Sequence, residues 1–226
     1  MTRLLRVATY NIRHGRGMDG RVRLRRTARM LVRTGADVIA LQEVDRNVKR
    51  SGTTDQPALL ERWTGLTVHF WPTLRLDGGD FGLALAARGE MSTDFQILDN
   101  GGVGRLHGVI IGRVQGITVL ATHLSRKAVA RQAEEEQIAR LATGSQMPVV
   151  VAGDLNQGPK SLRRFHAAGL RSDPRRRATF PSTAPVLKID HVLIGPGLSI
   201  ERTWTVRGMA SDHIPLVADV RLGPRF

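Results

Sequence analysis

The sequence predicts an α/β fold with two sheets packed face to face and helices outside. Short apolar runs recur as hairpin-like pairs, and other runs lead directly into segments with helical spacing. The chain has 226 residues, 41% of them hydrophobic, and no linker or repeat divides it. Residues 1–226 therefore read as a single domain able to bury a core.

The elements follow in order. Residues 4–10 form a short buried strand ending in a polar turn, and Leu24, Ala28, Leu31 and Val32 then recur at helical spacing. A strand over 37–42 comes next, with further strands over 82–87, 108–114, 117–122 and 148–152. Ser125 is placed to cap a helix over 126–142, with Val129, Ala133, Ile138 and Leu141 inward and Glu134, Glu135 and Glu136 on a solvated face. Strands over 189–194, 200–206 and 214–221 close the chain, punctuated by Gly and Pro.

Composition narrows the chemistry. The absence of cysteine excludes disulfides, thiol catalysis and cysteine-ligated zinc, so a bound metal must sit on oxygen or imidazole. The first ten residues hold no sustained apolar stretch, no run is long enough to span a membrane, and a cytoplasmic protein is expected. A formal charge of +14 and a pI near 11.6 favour polyanionic partners. Arginine supplies nearly all of it, lysine occurring only at 49, 127, 160 and 188, and a solvated basic surface accounts for the charge equally well. No glycine-rich loop ends in Gly-Lys-Ser or Gly-Lys-Thr, which disfavours P-loop nucleotide hydrolysis. Aromatic residues are few, and Trp63, Trp71, Phe81 and Trp204 are assigned to the core, so base stacking has little support.

Polar residues directly after apolar strands carry the chemical signal. Asn11 and Glu43 each follow a strand, and an amide oxygen and a carboxylate suit magnesium, which needs few protein ligands. Taken singly, each is equally a turn or cap residue. Asp154 and Asn156 follow Gly153, which permits a sharp turn, and their spacing aims both side chains one way to position a water; an Asx turn is the plain alternative. Asp190-His191 and Asp212-His213 each pair a carboxylate with an imidazole beside a strand, and His213 is the preferred catalytic histidine. His123 ends another strand and is suited to holding a phosphate oxygen. Arg46, Lys49 and Arg50 form a basic loop after Glu43 that can clamp flanking phosphates or simply be solvated. His14, His69, His107 and His166 stand at no telling spacing and receive no role.

The ordered set Thr9-Tyr-Asn11, Leu41-Gln-Glu43, Thr122-His-Leu124, Gly153-Asp-Leu-Asn156, Ile189-Asp-His191 and Ser211-Asp-His213 resembles the endonuclease/exonuclease/phosphatase superfamily over nearly the whole chain. The resemblance implies a four-layer α/β sandwich of two mixed sheets with helices outside. It implies a metal-dependent phosphoric ester hydrolase, with magnesium, or alternatively manganese, on Glu43, completed by Asn11 and Asp212. Asp190 would pair with His213, Asp154 would orient or deprotonate the water, Asn156 would hold water or phosphate, and His123 would bind a phosphate oxygen. Which group takes the water's proton stays open.

Phe81-Gly-Leu-Ala-Leu85 carries Leu83 where many relatives have a substrate-holding asparagine, which implies fewer phosphate contacts. The stretch between Asn156 and Asp190 is short and holds no evident DNA-gripping helix. The expected function is a monomeric phosphodiesterase or nuclease acting on nucleic-acid backbone without stable membrane insertion. The alternatives are a phospholipid, sphingomyelin or inositol-phosphate hydrolase and a non-catalytic polyanion-binding module.

Overall fold

The structure is a computed structural model and describes residues 3–175 and 177–223. The chain begins with β1 (Arg3–Asn11), α1 (Leu24–Thr34), β2 (Val38–Val48), the two-residue β3 (Thr54–Asp55), α2 (Gln56–Thr64), β4 (Thr67–Leu76) and β5 (Gly79–Ala87). It continues through β6 (Ser92–Leu98), β7 (His107–Val114), β8 (Ile117–His123), α3 (Ala128–Thr143) and β9 (Val149–Asp154). The last elements are α4 (Arg163–Ala167), the short β10 (Arg171–Ser172), β11 (Asp190–Ile194), β12 (Leu198–Thr205) and β13 (Leu216–Leu222).

Two mixed sheets result. One has the order β12-β13-β1-β2-β5-β4, with β3 beside β2; the other has the order β10-β11-β9-β8-β7-β6. Each contains one parallel pair, β1 with β2 and β8 with β9, because α1 and α3 return the chain across the sheet; the other neighbours are antiparallel hairpins or returns.

Side-chain alternation along the strands builds three apolar layers. Leu5, Val7, Val38 and Ala40 from one sheet meet Val119, Ala121, Val150 and Ala152 from the other between the sheets. The next residues along the same strands point outward: Ala8, Tyr10, Ile39 and Leu41 pack with Leu24, Ala28 and Leu31 of α1. Leu120, Val149 and Val151 meet Ile138 of α3 and Phe165 of α4. Helix, sheet, sheet and helix are therefore the four layers expected from the sequence. Among the described residues, no helix is long and apolar enough to cross a membrane.

Several local expectations fail for identifiable reasons. Val32 and Val129 are 58% and 71% exposed, since each lies off the face that its helix turns to the sheet. Glu134 and Glu135 are buried, not solvated, because both carboxylates meet partners beneath α3. The strands β4 and β6 gave no usable sequence signal: both are sheet edges with half-exposed faces, and β4 carries Pro72. The short α2 was also unanticipated, although Asp55 caps it by accepting from Ala58 N at 3.0 Å and Gly65 ends it at φ +70°.

Candidate active site

The alternation that fills the core also assembles the site. Along β1 the inward row Leu5, Val7, Thr9 ends at Asn11; along β8 the row Ile117, Val119, Ala121 ends at His123. Along β9 Val150 and Ala152 lead to Asp154, and β11 enters at Asp190, which lies opposite Asp154 in the antiparallel register. Each row thus exchanges its apolar side chain for a polar one at the same open edge of the sandwich.

Two backbone irregularities tune this edge. The pairing of β2 with β5 shifts register between Leu41 and Val44, and Glu43 within that bulge has φ +58°, which re-aims its side chain off the regular alternation. Gly153 does not make the sharp turn suggested by the sequence. It lies within β9, where a Cβ would come 2.1 Å from Thr122 O, so it is glycine because β8 approaches too closely for any side chain. The turn falls two residues later at Asn156, with φ +50°; Asp154 Oδ1 accepts from Asn156 N at 3.0 Å, an Asx turn. The Asn156 amide donates to Leu124 O at 2.8 Å and so ties the ends of β8 and β9 together.

The groups converge on Asp154. Its Oδ2 accepts from Asn11 Nδ2 at 3.1 Å and lies 3.5 Å from His123 Nε2 and 3.7 Å from His213 Nε2. Asn11 Nδ2 also donates to Glu43 Oε1 at 3.0 Å, so one amide bridges two carboxylates. His213 Nδ1 lies 2.8 Å from Asp190 Oδ2, and the ring packs at 5.0 Å against Phe180. Ser211 anchors the loop before β13 by donating to Asn11 O at 2.7 Å, and Asp212 Oδ2 lies 3.4 Å from Arg13 Nε. Glu43, Asn11, His123, Asp154, Asn156, Asp212 and His213 all line one cleft of about 630 Å³.

Burial sets the protonation states. Burial first, then the neighbouring Asp190 charge, pushes the Asp154 carboxyl well above the usual carboxylate range. Burial alone would lower His213, but Asp190 outweighs it through charge and hydrogen bond, aided by Asp154 and Asp212, and raises the imidazole to about 9. Burial lowers His123 and leaves it a neutral donor near neutrality. Near neutrality the cleft therefore holds a carboxyl of raised proton affinity beside a protonated imidazole.

The basic loop adjoins the cleft without lining it: Arg50 and Arg105 lie over the same Phe81 ring, at 5.2 Å and 5.0 Å. Arg46 pairs with Asp80 at 2.7 Å, Arg50 pairs with the buried Asp45 at 2.8 Å, and Lys49 is exposed; none of the three lines the cleft. The cations that do line it, Arg105, Arg126 and Lys127, went unnoticed in an arginine-rich chain. His107, given no role from sequence, also reaches the cleft, where its Nδ1 lies 2.8 Å from Glu134 Oε1. The partners are 27 positions apart, so no spacing rule connects them. His191, by contrast, points away and bonds Gln157 O at 2.9 Å, a buried structural role.

A two-sheet sandwich that gathers carboxylates, imidazoles and amides at one open edge is the arrangement of the endonuclease/exonuclease/phosphatase fold, a family of phosphoric ester hydrolases. The chain belongs to the endonuclease/exonuclease/phosphatase family, whose model matches residues 8–213. Among solved structures it is similar to an endonuclease/exonuclease/phosphatase from Beutenbergia cavernae, with 26% identity, 98% of this chain and 72% of that chain covered, and a TM-score of 0.76. The Bacteroides thetaiotaomicron mannosyl-6-phosphatase shares the fold at 18% identity, with 96% and 99% covered and a TM-score of 0.72. Truncated Caenorhabditis elegans TDP2 does so at 16% identity, with 97% and 98% covered and a TM-score of 0.65. No curated protein matches significantly.

Proposed function

We propose that this family phosphoesterase is a magnesium-dependent phosphodiesterase that cleaves nucleic-acid backbone by direct attack of water on phosphorus. The observation that carries the reading is the convergence of His123, Asp154 and the His213–Asp190 pair in a cleft whose wall also presents Arg105, Arg126 and Lys127. Phosphodiester backbone supplies the anionic groups that such a wall attracts.

The residues fit a hard divalent cation. Asp154, Asp190 and His213 cluster their polar atoms within 4.8 Å, and Asp190 Oδ1 is buried without a hydrogen-bond partner; the protonated His213 offers no lone pair, so a cation there draws on the neighbouring carboxylate oxygens. The nearby Glu43 is only half-buried, so one side of its carboxylate faces open cleft. All of the nearby acidic donors are oxygens, which suits magnesium or manganese. Glu43, with Asp212, would hold the cation, and Asn11, whose Nδ2 meets Glu43 while its Oδ1 accepts from Arg13 N, would join as a ligand only with its amide turned over; the cation would supply charge neutralisation at a phosphate oxygen.

The chain's own groups account for the proton movements. Asp154, its affinity for protons raised by burial, accepts a proton from the attacking water, while Asn156 helps hold that water or the phosphate. His123 contributes a neutral N–H toward a phosphate oxygen. His213 is protonated at neutral pH and donates toward the phosphoryl or leaving oxygen, with Asp190 fixing its ring orientation and tautomer.

The direct test is hydrolysis of plasmid DNA, single-stranded DNA, RNA, sphingomyelin and inositol or sugar phosphates, in magnesium and in EDTA, by wild type and Asp154→Ala. Magnesium-dependent nucleic-acid cleavage lost in the variant supports the proposal. Turnover confined to lipid or sugar phosphates would keep the chemistry and reject the substrate, bringing the chain nearer to the activity named for the mannosyl-6-phosphatase.

A further inference from the structure

We propose that Arg105, Arg126 and Lys127 form a second anion subsite beside the catalytic centre, held in place by the buried Glu134–His107 pair. The subsite selects esters carrying another phosphate close to the one being cleaved. It rests on the phosphoesterase reading, which accounts for the first phosphate.

One buried carboxylate organises both halves of this wall. Glu134 is completely buried on α3; its Oε1 meets His107 Nδ1 at 2.8 Å and its Oε2 accepts from Ser125 N at 2.7 Å. Arg105 Nε donates to His107 Nε2 at 3.3 Å, so that nitrogen acts as the acceptor and the ring proton sits on Nδ1, facing Glu134. The Arg105 guanidinium also lies 5.0 Å from the centre of the Phe81 ring. Glu134 therefore orients Arg105 through His107.

The other half is fixed through its backbone. Lys127 N donates to Ser125 Oγ at 3.2 Å, and Arg131 Nη1 donates to Ser125 O and Arg126 O, each at 3.0 Å. The loop that carries Arg126 and Lys127 is thus clamped from α3 while both side chains stay at the cleft.

The position of Arg105, Arg126 and Lys127 points to a ligand, since these cations line the same cleft as Asp154 and His213. Many arginines of this chain are neutralised internally, including Arg6 by Asp219, Arg46 by Asp80 and Arg50 by Asp45. Among the described residues, no carboxylate lies within ion-pair distance of Arg105, Arg126 or Lys127. Arg105 is exposed at the cleft, so its guanidinium stands open to an incoming anion. Three cations on one cleft wall, one of them anchored to a buried pair, favour a further anionic group over a neutral alcohol or sugar at that position.

Calorimetric titration with thymidine 3′,5′-bisphosphate and thymidine 5′-monophosphate, in magnesium and in EDTA, tests this. Wild type should bind the bisphosphate roughly tenfold more tightly, the scale of one good charge-assisted contact. Arg105→Gln and Lys127→Gln should bring the ratio towards one, with a far smaller effect on the monophosphate. Glu134→Gln should also reduce the ratio, whereas a carboxylate that merely supported the fold would weaken both ligands alike. If Glu134→Gln does not fold, the surface variant Arg105→Gln carries the test. Equal wild-type affinities, or a ratio unchanged in Arg105→Gln, would overturn the subsite. Hydrolysis with no bisphosphate preference rejects the subsite alone, while a preserved preference without hydrolysis of any phosphoester rejects only the catalytic reading.

Discussion

His213 and Asp154 define the residue scale, because their protonation follows directly from what surrounds them. The Asp190 carboxylate is the main force raising His213, so Asp190→Asn should lower its pKa from about 9 towards the ordinary imidazole value. Nuclear magnetic resonance titration of the ring in the metal-free protein measures this, and an unshifted titration would remove Asp190 as its partner. The sign is fixed: a raised folded pKa adds stability fully present below about 6.5 and lost as pH rises through about 9. For catalysis, Asp154→Asn keeps the shape but removes the proton acceptor, so kcat should fall about 10²–10⁴-fold. An almost unchanged kcat, with metal dependence intact, would move the base elsewhere. Both residues stood out in the sequence beside apolar strands, but the adjacent Asp212 that drew notice to His213 is not its hydrogen-bond partner; Asp190, on β11, is. Glu134 and His107 did not stand out, since a buried carboxylate on an acidic helix looks solvated until its distant partner is known.

At the scale of elements, the site depends on how closely β8 and β9 run. Gly153 lacks room for a Cβ against Thr122 O, and neither backbone can yield without disturbing Asp154 and His123 at the strand ends. Gly153→Ala should destabilise the protein by about 1–3 kcal/mol or more, as overpacking does. Gly158→Ala is the control: no atom lies within 4 Å of its added Cβ, and stability should hardly change. Urea denaturation of both compares them, and equal midpoints would show that the strands separate easily. The inward-facing central strands were legible because both of their faces are apolar. The edge strands β4 and β6 were not, as half their surface meets solvent, and the Glu43 bulge leaves no mark in the composition of β2.

For the whole molecule, the charge of +14 was legible at once, but its placement was not, since sequence cannot show which arginines are already paired. Arg46 and Arg50 illustrate the difference: the chain places them just after Glu43, while the fold commits them to Asp80 and Asp45. Counterion release depends on cations that actually meet phosphate, so the two basic groups should respond differently. In EDTA, affinity for single-stranded DNA should fall steeply with salt. Replacing Arg105, Arg126 and Lys127 together by alanine should flatten the logarithmic salt slope by about 2, at roughly 0.7 per phosphate contact. Replacing Arg46, Lys49 and Arg50 should change that slope little. Because Arg50→Ala strands the buried Asp45 carboxylate, that variant should instead lose about 1–3 kcal/mol of stability. Fluorescence anisotropy across a salt series, paired with denaturation, separates the cases. A larger slope change from the Arg46, Lys49 and Arg50 variant would return that loop to the nucleic-acid path and leave the cleft cations with a local role only.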